Sequence, residues 1–349
     1  MIIIVGGGLS GLLTGYLLKK EGIPFKILDS RNRFGGRINT VYRENEAPIE
    51  MGATWFTNQH VNLIALLEEL GIERFEQFMD TKVFYEPNPN LHAQILGIPK
   101  NEPSYRISGG TSALINRLLE KLNPEDLLLN HTVSQITFTE KLVSVKAENI
   151  FEGDSVVLAL PPRLWANRID FQPSISEDLK DIALQTHTWM EDSIKVALTF
   201  AKPFWMEEQI PRTLFSNVGP VVEFYDQSDA ENSRYALCGF INSDFKKLSK
   251  SERKQLIINQ LKNIFGNSVT EFLTYEERVW SEEVATFQES HSQIYPHQNN
   301  GHPIFRTTYF EERLIISGSE TSSRFPGYME GAVLSAKETV RRIVELQPK

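Results

Sequence analysis

The sequence predicts an α/β fold in which a three-layer domain on a parallel sheet is interrupted by a second, inserted domain. Three observations predict it. A strand, a glycine turn, a helix and a second strand follow one another from residue 2, in "IIIVGGGLSGLLTGYLL" and "FKILDS". A fully apolar run, "VVLALPP" (Val156–Pro162), lies mid-chain, and another, "RLIIS", leads into a last segment with helical spacing. These runs at the start, the middle and near the end read as buried parallel strands; that the segments between them form an inserted domain is what a family resemblance along the chain implies.

A chain of 349 residues suggests about two domains and is ample for a sizeable core. Apolar content of 41% and charged content of 23% are those of an ordinary globular protein. The net charge of −9, with no basic stripe, argues against nucleic acid or an anionic membrane as partner. Cys238 is the only cysteine, which excludes an intramolecular disulfide and a cysteine-based metal site and fits a reducing compartment. The opening apolar run is too short for a signal peptide, and no stretch approaches the ~18 apolar residues of a membrane span. The expectation is a soluble, cytoplasmic protein without a membrane anchor.

Ile2–Val5 is β-branched and apolar throughout, as a buried parallel strand should be. Gly6, Gly8 and Gly11 follow in G-x-G-x-x-G register. Leu9, Leu12, Leu13, Tyr16 and Leu17 continue at helical spacing, and Gly22 stops the helix. "FKILDS" (Phe25–Ser30) is the next strand, ending in Asp29. This is a Rossmann-type dinucleotide unit. Gly6 allows the tight turn, Gly8 lets backbone approach a pyrophosphate, and Gly11 lets the helix pack close to the strand. The helix N-terminus, through Leu9 and Ser10, faces the phosphates, and Asp29 is placed to accept from a ribose.

"DSRNRFGGRINT" (Asp29–Thr40) distinguishes one dinucleotide from another. A nicotinamide unit has no need of a second glycine pair between arginines just beyond the ribose acid. Here Ser30 and Arg31 are followed by Arg33-Phe34-Gly35-Gly36-Arg37, in which Arg37 can bridge a pyrophosphate that two glycines let the chain approach. At these residues the sequence resembles the flavin-containing amine oxidases, the family of monoamine and polyamine oxidases, whose FAD-binding start has this pattern.

The resemblance recurs along nearly the whole chain. "EMGATWF" (Glu50–Phe56) resembles the loop beside the flavin, which implies FAD contacts at Gly52, Ala53 and Thr54. "YRISGGTSAL" (Tyr105–Leu114) resembles the re-entry into the FAD domain, and "HTVSQITF" (His131–Phe138) the strand where Val133 backbone meets the adenine. "VVLALPP" and "SIKVALTFAKPFW" (Ser193–Trp205) also have counterparts, the latter in the substrate domain. "SGSETSSRFPGYMEGAVLSA" (Ser317–Ala336) resembles the C-terminal FAD motif residue for residue. Gly318-Ser319 makes a tight turn there, Glu320 can accept from FAD hydroxyls, and a helix starts near Tyr328. Its first amides, near Met329, would face the flavin edge where reduction places negative charge.

The resemblance implies a Rossmann-type FAD-binding domain with an inserted α+β substrate domain built on a mixed sheet. The motif order places the FAD-binding parts at 1–57, 108–184 and 286–349 and the substrate-domain parts at 58–107 and 185–285. The first inserted block is short beside what the family carries.

Family members oxidise amines with a lysine near flavin N5, linked through a water, and with two aromatic rings flanking the amine. Lys195 matches the lysine. In its strand Ile194, Val196, Leu198 and Phe200 form one apolar face and leave Ser193, Lys195, Ala197 and Thr199 on the other. By pattern alone Lys195 would be a solvated residue of an outer face. Tyr328 matches one ring. The second tyrosine is missing, because its place falls near Ser290 or His291, with Phe287 the nearest aromatic alternative. Trp55, Trp189 and Trp280, together with Phe287 and His291, are candidate pocket residues. No cysteine stands where some members bond FAD, so the FAD is expected to be non-covalent. His60, His187 and His291 show no metal-ligand spacing, and no metal is expected.

The implied function is an FAD-dependent oxidoreductase passing hydride from an amine Cα–H to flavin N5. Oxygen is the acceptor, and the products are an imine or aldehyde and hydrogen peroxide. Two alternatives stand beside it: a flavin desaturase or dehydrogenase using another acceptor, and an FAD-binding protein without turnover.

Overall fold

The structure, a computed structural model, describes residues 1–99, 102–290 and 292–346. Ile2–Val5 lies between Phe25–Leu28 and Ser155–Leu158, parallel to both. Leu127–Leu128 and Leu314–Ile316 extend the sheet to five strands, all parallel. Strands this apolar need cover on both faces. Ile2 and Ile4 pack with the helices Leu9–Lys20, Ser112–Lys121 and Met329–Glu345. Ile3 and Val5 pack with a second sheet of four strands, Gln135–Phe138, Val143–Lys146, Ile150–Gly153 and Asp170–Gln172. The result is the expected three-layer domain. Each fully buried Ile or Leu in it contributes about 1.5–3 kcal/mol by leaving water.

Two boundaries differ from the sequence reading. The second strand ends at Leu28, one residue before Asp29. The strand expected over His131–Phe138 begins only at Gln135. The physical reason for the second lies in its backbone. The amides of Asn130 and His131 donate to the carbonyls of Arg31 and Asp29, so this stretch crosses to the end of another strand before it joins a ladder.

Both inserted blocks contribute to one mixed sheet of seven strands. Its order is Thr274–Val279, Ile194–Phe200, Tyr235–Ile241, Val221–Asp226, Leu214–Ser216, Lys82–Glu86 and Gln94–Gly97. Only Leu214–Ser216 and Lys82–Glu86 run parallel. The helix Lys250–Phe265 starts in a Ser249/Glu252 capping box and covers one face through Ile257, Leu261 and Phe265. Ile194, Val196, Leu198 and Phe200 meet that helix, as the alternation predicts. The opposite face does not meet solvent. Ala197 and Cys238 pack there on Ile49 and Met51, so all seven residues of the Lys195 strand are buried.

The helix Val61–Glu69 packs with the parallel-sheet domain through Leu63, Leu66 and Leu67. Its own entry, at His60, supplies no side-chain cap. The fully buried carboxylate of Glu330, in the first turn of the last helix, does this instead. It accepts from the amides of Asn62 (3.1 Å) and Leu63 (2.7 Å) and from Asn62 Nδ2 (2.9 Å). A charged acceptor on first-turn amides satisfies donors that a helix leaves without partners. Glu330→Ala should lower the unfolding free energy by about 1–3 kcal/mol in urea denaturation, and Glu330→Gln, which keeps one acceptor, by less.

Candidate functional site

The glycine turn does what its spacing implies. Gly6 has φ +109° and a Cβ there would lie 2.6 Å from the Ala159 carbonyl oxygen, while one on Gly11 would lie 1.9 Å from that of Gly6. Gly8 is different. Its φ of −77° suits any residue, and a Cβ would meet only Gly36 Cα at 3.8 Å. No protein atom requires glycine at this position. What lies in front of it is a cavity of about 750 Å³.

Around this turn the cradle is built from backbone. The Gly35 amide donates to the Gly7 carbonyl (2.8 Å), which brings the second glycine pair against the first turn. The amides of Ser10 and Gly11 have no acceptor among the described residues, and the first intrahelical bond is Leu12 to Gly8. The last helix presents Met329 to the same cavity in the same way, its first bond being Ala332 to Tyr328. Two helix N-termini therefore offer free donors to one space, an arrangement suited to anionic groups. Asp29 accepts from the Gly7 amide (2.9 Å) and the Arg31 amide (3.0 Å) and so fixes the turn as well as lining the cavity.

Arg37 and Glu320 join the two ends of the chain. Nη1 and Nη2 of Arg37 donate to the two carboxylate oxygens (2.6 and 2.9 Å), and Nη2 also donates to Ser319 Oγ (2.9 Å). Burial alone would raise the Glu320 pKa, but Arg37 and the Ser319 hydroxyl outweigh it and hold the group below the usual carboxylate range. Glu320 lines the cavity with both carboxylate oxygens accepting from these protein donors. Ser10, Ser317 and Ser335 continue the junction in a chain of hydroxyl contacts of 2.9 and 3.1 Å.

Every residue expected at the dinucleotide lines this cavity except Gly11, whose work is helix packing. The cavity continues to the mixed sheet, where Lys195 is 2% exposed rather than solvated. Its Nζ donates to the Gly52 carbonyl (2.9 Å) and Thr54 Oγ1 (2.7 Å), and lies over the rings of Trp55 (5.1 Å) and Phe240 (5.3 Å). Burial lowers its pKa from the ordinary lysine value, with Cys238 and Glu50 nearby opposing the shift.

Trp55, Trp189 and Trp280 line the cavity, as expected. Trp280 is buried and donates to the Met51 carbonyl (2.7 Å). Tyr328 lines it too, at the N-cap of the last helix, with its ring 5.5 Å from that of Trp189. Those two rings touch, so they form one wall and not a pair with space between them. Phe287 is a correction: it does not line the cavity, where Arg168, Ala285 and Thr286 of the same stretch stand instead, with Arg168 donating to the Phe287 and Val284 carbonyls. His291 lies outside the described residues. Sequence reasoning missed Phe215, Glu223, Tyr225 and Phe240, which all line the cavity from the mixed sheet. Alternation in "YALCGFI" could have placed Phe240. Among the described residues no cluster of metal ligands occurs and no helix is long and apolar enough to cross a membrane.

The family model described as flavin containing amine oxidoreductase matches residues 9–93 and 91–344. The chain is 23% identical to the probable flavin-containing monoamine oxidase A of Dictyostelium discoideum, over 98% of this chain and 97% of that protein. It is 20% identical to human flavin-containing amine oxidase B, over 100% of this chain and 86% of that protein. The first of these alignments spans 450 positions against 349 residues here, so at least 101 of them (450 less 349) face gaps in this chain. Among solved structures, a putrescine oxidase bound to putrescine superposes with a TM-score of 0.85 at 21% identity, covering 99% of this chain and 98% of that one. The cyclohexylamine oxidase of Brevibacterium oxydans IH-35A gives 0.84 at 18% identity, over 99% and 98% of the two chains.

The open space at Gly8 sets a test. Gly8→Val should leave the fold intact, within about 0.5 kcal/mol in denaturant unfolding, because a Cβ there meets only Gly36 Cα, at an ordinary contact distance of 3.8 Å. The same change should abolish dinucleotide binding, giving a folded but colourless protein. A Gly8→Val protein that is stoichiometrically yellow contradicts the placement.

Proposed function

The chain belongs to the family of flavin containing amine oxidoreductases, and on that premise we propose that it oxidises an amine with non-covalently bound FAD and dioxygen. The residues present fit FAD. The side-chain-free approach at Gly8, the free amides of Ser10 and Gly11 and the second glycine pair would hold the pyrophosphate. The Met329 amide would face the ring end. Non-covalent attachment is supported by the position of Cys238, the only thiol in the sequence, which is fully buried in the sheet and does not line the cavity.

When bound, FAD supplies the hydride acceptor. The amine would lose a hydride from Cα, the imine left behind would hydrolyse to aldehyde, and dioxygen would take up the electron pair as hydrogen peroxide. The chain's own contribution is positioning and the exclusion of water. The observation that carries the reading is Lys195: a buried ammonium fixed by Gly52 and Thr54 and roofed by two aromatic faces, where the cradle meets the sheet. A lysine so desolvated can hand a proton to or take one from an adjacent water more readily than an exposed one. The faces of Trp55 and Phe240 suit the cationic character that develops on an amine losing hydride.

The visible spectrum of the purified protein tests the cofactor: flavin bands are expected, and acid should release all the FAD into the supernatant. Colour that stays with the precipitate contradicts non-covalent binding. Lys195→Met should keep FAD bound yet slow anaerobic bleaching by amines, or reoxidation in air, at least about tenfold, a barrier change of about 1.4 kcal/mol. Unchanged rates in both half-reactions contradict the role of Lys195. Peroxide formed one-for-one with aldehyde supports dioxygen as acceptor, whereas reduced flavin that persists in air points to another.

A further inference from the structure

The connection that leaves the mixed sheet after Thr274–Val279 borders the cavity without an apolar anchor of its own. Ala285 and Thr286 line the cavity, while Val284 is 72% exposed. None of Val284, Ala285 and Phe287 joins a hydrophobic core. Among the described residues, every hydrogen bond between 284–288 and a residue outside 282–289 involves Arg168. Its Nη1 donates to the Val284 carbonyl (2.5 Å), its Nη2 to the Phe287 carbonyl (3.0 Å) and its Nε to Gln288 Oε1 (2.8 Å). One guanidinium thus meets three acceptors with a planar fork of donors, which a lysine does not have.

Arg168 ends the helix Pro162–Arg168 and, with Leu164 and Ile169, lines the same cavity. Two residues on, the Asp170 amide donates to the Ser134 carbonyl (2.9 Å), next to Val133, where the adenine is expected. The connection begins at the other end of the cavity. The Trp280 indole donates to the Met51 carbonyl beside Gly52, and its amide donates to the Ser193 carbonyl (3.0 Å), two residues before Lys195. Residues 280–288 therefore run from the Lys195 end of the cavity toward the Val133 end.

The same helix holds a second piece of the cavity wall by a different kind of contact. Arg163 pairs with Glu191, which lines the cavity in the stretch leading to the Lys195 strand. Their side chains are only 3% and 9% exposed, so parting them would strand a charge in the interior. Arg168 stands in solvent, where water can replace each of its bonds. One contact is fixed and the other can open. Local opening occurs where apolar contacts are few and hydrogen bonds are exposed.

We propose that Arg168 is a clasp: it holds residues 284–288 closed over the bound dinucleotide, and breaking its three bonds is the step that lets FAD leave. The inference rests on the FAD-binding part of the proposed function and not on the amine. Arg168 is a positioning residue, acting through the connection it holds. Retention by charge would need only a cation near the phosphates, whereas retention by a clasp needs the fork.

The test follows FAD release after dilution of the loaded protein, by the return of free-flavin fluorescence, in the wild-type protein, Arg168→Ala and Arg168→Lys. Arg168→Ala should release FAD at least about tenfold faster, a barrier change of about 1.4 kcal/mol. Arg168→Lys, which keeps the charge and loses the fork, should release it nearly as fast as Arg168→Ala. Amide hydrogen exchange in loaded Arg168→Ala should speed up over residues 284–288 and stay unchanged in the parallel sheet. Release from Arg168→Ala at the wild-type rate overturns the proposal while leaving FAD binding standing. Wild-type retention in Arg168→Lys also overturns it, since charge alone would then suffice. Faster exchange throughout the parallel sheet overturns it as well, because Arg168 would then act on the whole fold. If the wild-type protein takes up no FAD, the cofactor reading fails and takes the proposal with it.

Discussion

The Arg37–Glu320 pair joins residues 283 positions apart, and the cradle is assembled around it. Arg37 ends the second glycine pair, and Glu320 opens the turn that leads to the last helix. Holding the two together sets Gly35 and Gly36 against the first glycine turn and brings the N-terminus of the last helix to the same space. Buried ion pairs often add little net stability, because desolvation offsets the attraction. This one has a bidentate geometry and a serine donor, and it fixes which segments meet. Its importance is that of a register mark: remove it, and neither motif has a reason to stop where it does.

Much of this was legible because backbone constraints are local. A glycine needed for φ +109° at Gly6, or for contact with a carbonyl at Gly11, announces itself by spacing alone. Gly8 was legible for the opposite reason, since glycine stands where the fold does not ask for it. The alternation in the Lys195 strand was also readable, but its solvent exposure was not. One apolar face in a sequence says which side is core. It does not say that Ile49 and Met51, from a segment far away in sequence, cover the other side.

The substrate half was harder to read for a reason of phase. Glu223 and Tyr225 face the cavity only because a residue is inserted at Val222, and no residue type marks a bulge as glycine marks a turn. Read as a regular strand, "VVEFYD" puts the wrong side chains inward. The aromatic wall was misread differently. Sequence spacing pointed to Phe287, but its neighbours Ala285 and Thr286 line the cavity in its place, while Trp189 arrives beside Tyr328 from a distant segment.

The cap that Glu330 places on the helix Val61–Glu69 bears on how the chain is made. During synthesis that helix emerges with its first amides unsatisfied, and its cap follows some 270 residues later, as the separations of 268 and 267 positions imply. The edge strand Leu314–Ile316 and the serine junction arrive equally late. Contacts this distant in sequence are costly to close and slow to form. The N-terminal motif therefore leaves the ribosome as an unfinished half-site and becomes a domain only once segments some 270 residues later have been made. Until then it depends on not finding other partners for its exposed parallel strands.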